Sequence, residues 1–168
     1  GYKNNCQTCV VALEARMRGY DVSAKPIDFD EFSIQQLIAQ KMKSPWIDIA
    51  TGKEPEYTAN ASVKSFDDFM SWLNETVKIS ERYNLAYNAE NAKYRHIVSL
   101  YRAKTGKLVV YDSQINRFCL EKDFFGHFSN LVYGEDEDGD YFGPEILRVD
   151  NLAFNTDIVN SILEKANE

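Results

Sequence analysis

The spacing of apolar residues predicts a chain that mixes helices with strands. Apolar positions recur at helical spacing over residues 6–18, and Gly19 is suited to end that helix. The same criterion predicts helices over 30–43, after Ser65, over 121–132 and over 156–166. Strands are predicted over 20–24, 82–87, 94–102, 107–111 and 145–149. We therefore expect an α+β fold with an antiparallel sheet.

The first helix carries two cysteines on its predicted apolar face. That face comprises Cys6, Cys9, Val10, Leu13 and Met17, with Glu14 and Arg18 on the other side. Cys6 falls in the first turn, where unpaired N–H groups and the helix dipole favour negative charge. We therefore expect a stabilised thiolate and a lowered pKa at Cys6. Asn5 is the predicted N-cap.

A hairpin is predicted over residues 97–111, with Gly106 in the left-handed position of a three-residue loop. If Ala103 lies opposite Lys107, four side chains share one sheet face: His96, Val98, Asp112 and Gln114. His96 and Asp112 are then diagonal neighbours, roughly 7–8 Å apart in the backbone, a gap that side chains bridge. A two-residue loop would place them on opposite faces, so the pairing depends on the loop type.

Composition narrows the classes of function. The chain has 168 residues, enough for one domain with a proper core, and we expect a single domain over 1–168. A formal net charge of −7, with scattered Lys and Arg, disfavours a nucleic-acid surface. No apolar run reaches the length of a membrane span, and we identify no signal peptide. Three cysteines favour free thiols and a reducing compartment. Because the first residue is not methionine, we expect a domain excised from a larger protein.

Two groups of residues have the composition of metal sites, and we expect neither to bind a metal. Cys6 and Cys9 with Cys119 and His127 offer four ligands of the zinc type, but the second pair is spaced unlike a common zinc knuckle. The acidic run over 135–140 lacks the bidentate glutamate of a calcium loop, so we predict a solvated loop. His127 is predicted to be a partly buried structural residue, and no cofactor is expected.

Several motifs together resemble a known family. They are Asn-Cys-x-x-Cys-Val-Val-Ala from residue 5, Arg-x-Arg-Gly-Tyr-Asp-Val-x-Ala from residue 16, His96 on a strand, and Tyr-Asp-x-Gln from residue 111. The pattern resembles the papain-fold toxin (Tox-PL) domain, whose members are similar to bacterial effector glutamine deamidases. The resemblance runs from Asn5 to about Asn155. Ser113 replaces the proline of the family pattern, and residues 48–93 match poorly, so the loops that face a substrate are not inferred.

The resemblance implies a papain-like cysteine hydrolase fold, with the nucleophile helix packed on an antiparallel sheet. Cys6 would attack a carboxamide, His96 would transfer its proton, and Asp112 would orient the imidazole. The Cys6 N–H would hold the oxyanion with help from Asn5 or Gln114. Cys9 is the alternative nucleophile. It lies one turn further on the same face, and in papain itself the nucleophile is the second cysteine of Cys-x-x-Cys.

The expected function is protein glutamine deamidation through a thioester, by a toxin or effector domain. The alternatives are a cysteine peptidase of the same fold and a non-catalytic phage-virion or binding module. The resemblance implies a protein substrate in a target cell and allows an immunity protein as a second partner, with neither nucleic acid nor membrane. It also implies a bacterial effector that is secreted or delivered, or a phage-associated protein, acting in a reducing cytoplasm.

Overall fold

The computed structural model describes residues 5–90, 92 and 95–166. Its helices are α1 Cys6–Met17, α2 Ile34–Ala39, α3 Phe66–Thr76, α4 Phe124–His127 and α5 Thr156–Ile162. The first six strands are β1 Val22–Ala24, β2 Trp46–Ile47, β3 Thr58–Ala59, β4 Arg82–Tyr87, β5 His96–Arg102 and β6 Leu108–Asp112. The others are β7 Arg117–Leu120, β8 Gly134–Glu135, β9 Tyr141–Phe142, β10 Glu145–Arg148, β11 Ala153–Phe154 and β12 Leu163–Lys165. Tyr94, where a strand was predicted to begin, lies outside the described residues.

The chain divides into two compact units. Unit 1 comprises residues 1–56, 113–115 and 149–168, and unit 2 comprises residues 57–112 and 116–148. Both combine helices with antiparallel strands, as the α+β prediction requires. Within the part of the chain that the structure describes, no helix is long and apolar enough to cross a membrane.

Unit 2 is built on a six-stranded antiparallel sheet with the order β3-β10-β4-β5-β6-β7. Alternate residues of β4, β5 and β6 point to the same face, and these apolar residues form one buried cluster with α3 and α4. The start of α3 follows the sequence prediction, since the Ser65 hydroxyl accepts a hydrogen bond from the Asp68 N–H at 3.1 Å. The buried residues of α3 are Phe69, Trp72 and Leu73.

The β5–β6 hairpin has the predicted register. Ser99 pairs with Tyr111 and Arg102 with Leu108, while the Ala103 N–H donates to the Lys107 carbonyl at 2.8 Å. Gly106 has φ of +84°, a left-handed conformation that a side chain adopts only with strain. This register turns His96, Val98 and Asp112 to the buried face of the sheet.

Unit 1 holds α1 against β1, which pairs with β12 in an antiparallel ribbon. Arg18 follows the last residue of α1 and forms the main polar junction of this unit. Its guanidinium bonds the Glu14 carboxylate at 2.9 Å and donates to the carbonyls of Val149 and Leu152, each at 2.8 Å. It also lies 4.4 Å from the centre of the Phe154 ring. These contacts tie the end of the first helix to the C-terminal segment.

The predicted faces of α1 were partly wrong. Glu14 is buried with 4% of its surface exposed, whereas Met17 is 60% exposed. The bond to Arg18 compensates the buried carboxylate, so its position on the inner side is tolerated. The helix does begin at Cys6 and stop before Gly19, which has φ of +91°.

Three other helix predictions were too long. Ser33 is the N-cap of α2, so the helix begins later than predicted. Lys41 has φ of +57° soon after the helix ends. Phe32 and Met42 therefore lie outside the helix, and both are exposed. Residues 121–132 contain only a 3-10 turn over 121–123 and the short α4. The predicted helix over 156–166 ends at Ile162, because the following residues pair with β1 as β12.

We predict that Arg18→Ala destabilises the fold more than a matched change on the same helix. Removing the guanidinium takes away its 2.9 Å bond to the buried Glu14 carboxylate and its two bonds to backbone carbonyls, which costs about 3–5 kcal/mol in the free energy of unfolding. Arg16, on the exposed side of α1, is the control, and Arg16→Ala should cost less than about 1 kcal/mol. Urea unfolding of both variants measures the difference, and equal losses would contradict the role given to Arg18.

Candidate active site

His96 and Asp112 form a hydrogen-bonded pair at the end of the β5–β6 hairpin. The Nε2 atom of His96 lies 2.6 Å from Oδ2 of Asp112. The His96 side chain is 30% exposed and that of Asp112 is 10% exposed, so the carboxylate is the inner partner. A carboxylate in this position fixes the orientation of the imidazole. Because Nε2 faces the carboxylate, Nδ1 is the ring nitrogen that would exchange a proton with a reacting group.

Aromatic rings border the imidazole of His96. Tyr87 is its cross-strand partner on β4, and the two rings meet edge to face at 5.8 Å. Phe128 packs on Tyr87 at 5.3 Å. Both rings are almost fully buried, and this packing restricts rotation of the His96 ring. We did not predict this role for Tyr87. Tyr87 lies on the buried face of β4 by the alternation of its residues, but this position points to His96 only once the pairing of β4 with β5 is known.

His127 lies near this pair but differs from its prediction. The residue is exposed, and its ring packs edge to face on Phe128 at 4.6 Å. Loss of hydration lowers the pKa of the His127 imidazole, with Asp112 raising it and Arg117 and His96 lowering it. The imidazole is therefore predominantly neutral at pH 7.

The two cysteines of α1 differ in accessibility and backbone bonding. Cys6 is the first residue of the helix and only 6% exposed, while Cys9 is half-buried. The Cys9 N–H donates to the Asn5 carbonyl at 3.0 Å, inside the helical pattern. The first N–H groups of a helix have no such partner, so the Cys6 N–H is the better placed to meet an oxyanion. Accessibility favours Cys9 and the backbone favours Cys6.

Asn5 precedes α1 but does not cap it through its side chain. Its Nδ2 instead donates to the Lys25 carbonyl at 2.7 Å, and the residue is buried. This bond ties the start of the helix to the end of β1. Gln114 follows β6, which ends at Asp112, and is half-buried.

The candidate residues are distributed over both units. Cys6, Cys9, Asn5 and Gln114 belong to unit 1, while His96 and Asp112 belong to unit 2. All three cysteines are free thiols. The described residues include no cluster of three or more His, Cys, Asp or Glu that could hold a metal ion, so the zinc set is not assembled there. In the acidic loop, the Asp136 carboxylate accepts the N–H groups of Asp138 and Asp140 and closes a turn.

A helix that begins at a cysteine, together with a histidine–carboxylate pair on an antiparallel sheet, defines the papain-like class of folds. Comparison with protein families supports this class directly. The chain belongs to the papain fold toxin 1, glutamine deamidase family, whose model matches residues 4–117. No curated protein matches the chain. The predicted family and papain-like fold are thus confirmed.

We predict that Cys6 is the most reactive thiol, because it is the first residue of α1 and lies beside the N–H groups that have no partner within the helix. Limited iodoacetamide treatment and peptide mapping should label Cys6 before Cys9. Burial raises the pKa of the Cys119 thiol, which makes it the slow internal reference. Unfolded protein, in which the three rates should converge, is the control. Faster labelling of Cys9 in the folded protein would transfer the nucleophile role to that residue.

Proposed function

We propose that this chain is a protein glutamine deamidase in which Cys6, His96 and Asp112 act as a catalytic triad. Membership of the glutamine deamidase family supports the reaction class. The observation that carries the assignment of the base is the 2.6 Å bond between His96 and Asp112. A thiol needs such an oriented imidazole to act as a nucleophile at neutral pH.

The reaction proceeds in two halves. Nδ1 of His96 takes the proton of the Cys6 thiol as sulfur attacks the carboxamide carbon of glutamine. The imidazolium then donates a proton to the departing nitrogen, ammonia leaves, and a thioester remains. His96 next removes a proton from water, which attacks the thioester and releases glutamate, and the sulfur recovers its proton. The sum is glutamine plus water giving glutamate plus ammonia, with no cofactor.

The oxyanion of each half-reaction is held by the backbone N–H of Cys6 and by one side-chain amide. Asn5 and Gln114 are the two candidates. The Asn5 Nδ2 already donates to the Lys25 carbonyl, but an amide nitrogen carries two hydrogens and retains a second one to offer. Gln114 lies two residues after Asp112, whose carboxylate bonds His96.

Cys9 is the rival nucleophile because it is the more accessible of the two thiols. Its N–H is held within the helix, so an oxyanion formed at Cys9 would depend more heavily on side-chain amides. Single alanine variants at the two positions separate these alternatives.

Membership of the toxin family supports a proposal on delivery and location. We propose an effector or toxin domain that meets its protein substrate in a reducing cytoplasm, where the three free thiols stay reduced. An immunity protein in the producing cell and a phage-associated parent protein belong to the same proposal.

The decisive experiment is intact-mass analysis of β-casein, a glutamine-rich unfolded protein, after incubation with the chain. We expect the casein to gain about 1 Da per event without fragments, because an amide becomes an acid. Cys6→Ala and His96→Ala should abolish the gain. Asp112→Ala should leave a small residual rate, because the carboxylate orients the base without bonding to substrate.

His127→Ala is the matched control, since it removes a neighbouring imidazole that has no assigned chemical step. Cys9→Ala should retain turnover, and loss in Cys9→Ala with retention in Cys6→Ala would move the nucleophile to Cys9. Casein fragments would indicate a peptidase. An unchanged casein mass, together with an unreacted carbobenzoxy-Gln-Gly dipeptide, would favour the non-catalytic binding module.

A further inference from the structure

Strand β7 closes one side of the six-stranded sheet and is exposed. It is the last strand in the order, pairing with β6 on its inner side. Alternate residues of a strand direct their N–H and C=O groups to opposite sides, so about half of the backbone groups of β7 point outward. Outward groups of an edge strand are a template for an added strand.

The side chains of β7 are unusually apolar for such an edge. Phe118 is 59% exposed and Leu120 is 48% exposed. Phe118 stacks on Tyr111 of β6 at 4.4 Å, which holds its ring in place. Natural edge strands usually carry charges or proline that block pairing, whereas β7 carries one charge, Arg117, at its first position.

A cavity of about 510 Å³ adjoins the end of β7 at Leu120. We call it the β7 cavity; its lining consists of Ala103, Thr105, Lys107, Leu108, Val109, Leu120, Glu121 and Lys122. The lining is mainly apolar, with two lysines against one glutamate. The Nζ atom of Lys107 lies 3.6 Å from Oε2 of Glu121. Because the lining holds a second lysine, it carries a net positive charge, whereas the whole chain has a net charge of −7. Such a cavity suits an apolar side chain with an acidic neighbour.

The opposite end of β7 lies beside the candidate catalytic pair. Arg117 is the cross-strand partner of Asp112, which bonds His96. At about 3.3 Å per residue, an extended chain runs the roughly 10 Å from the β7 cavity to Arg117 in about three residues. A segment anchored in the cavity is therefore led toward the end of the sheet that carries the imidazole.

We propose that β7 and the β7 cavity bind an extended segment of the protein substrate as an added strand. An apolar side chain occupies the cavity and an acidic residue lies beside it. The glutamine that reacts lies three or five residues away, because Leu120 and its partner Val109 face the side of the sheet opposite to Asp112, and only an odd spacing turns a side chain from one face to the other. This inference rests on the proposed deamidase function and adds how its substrate is selected.

The probe is a fluorescent twelve-residue peptide with one glutamine, one leucine three residues from it and an aspartate beside the leucine. Binding is measured by anisotropy to the Cys6→Ala/Cys9→Ala variant, so that turnover does not interfere. Leu120→Ser on that background should raise Kd about tenfold or more, because a contact with an apolar anchor is lost. Ile79→Ser is the matched control, since Ile79 is 52% exposed in the same unit, and it should leave Kd unchanged.

Strand addition has its own signature. Methylating the backbone nitrogens of the peptide one at a time should weaken binding at every second residue, because alternate N–H groups face β7. Uniform effects, or none, would overturn strand addition even where the peptide binds. A dimer seen by sedimentation that dissociates in Leu120→Ser would overturn the inference in favour of a second copy of this chain.

Turnover separates the failure of this inference from the failure of the proposed function. With wild-type thiols, Leu120→Ser should raise KM for the peptide and leave hydrolysis of carbobenzoxy-Gln-Gly unchanged. Moving the leucine from a spacing of three to a spacing of four should lower kcat/KM, because the two side chains then point to the same face. If the dipeptide reacts but the spacing and Leu120→Ser have no effect, the docking inference is wrong. If the peptide binds at β7 and neither probe is deamidated, the proposed deamidase function is wrong. The peptide then binds at β7 as a ligand and not as a substrate.

Discussion

The register of the β5–β6 hairpin is the constraint on which the candidate site depends. Its loop turns through Gly106 in the left-handed conformation, and one residue more or less would move Asp112 to the other face of the sheet. Arg102 supports this loop, donating at 2.7 Å both to the Gly106 carbonyl and to the Val77 carbonyl just after α3. Loop, helix end and strand are thus joined by one guanidinium. The 2.6 Å contact of His96 with Asp112 is a consequence of that backbone geometry.

In unit 1, the main constraint is the buried carboxylate of Glu14. Glu14 lies inside an otherwise apolar stretch of α1, where an unpaired carboxylate would be strongly unfavourable. Arg18 reaches it from one turn further along the helix and uses its other nitrogens on two carbonyls of the C-terminal segment. The stacked rings of Trp46 and Phe154 flank this guanidinium. The helix that carries both α1 cysteines is therefore held at each end by polar bonds, at Asn5 and at Arg18.

Local chemistry explains which elements were predictable. The Ser65 cap, the Gly19 stop and the Gly106 turn each depend on neighbours within a few residues, and all three are as expected. The inner side of α1 was misassigned because the burial of Glu14 depends on its pairing with Arg18, which periodicity does not reveal. The C-terminal segment likewise depends on a partner that is distant in the sequence. Residues after Ile162 have helical spacing, yet they form β12 because β1 lies alongside them.

The candidate site divides in the same way. The pairing of His96 with Asp112 was predictable because both residues belong to one hairpin, whose loop the sequence specifies. Tyr87 and Phe128 were not, since Tyr87 meets the imidazole from β4 and Phe128 packs on Tyr87 from the segment after α4. The choice between Cys6 and Cys9 is of a third kind, because both occupy one helix and differ only in accessibility and in the bonding of a single N–H. The N–H groups at the start of α1 favour Cys6, whereas access for a polymeric substrate favours Cys9. Either cysteine needs an oriented imidazole to act as the nucleophile. The β5–β6 hairpin holds His96 in one orientation, whichever sulfur attacks.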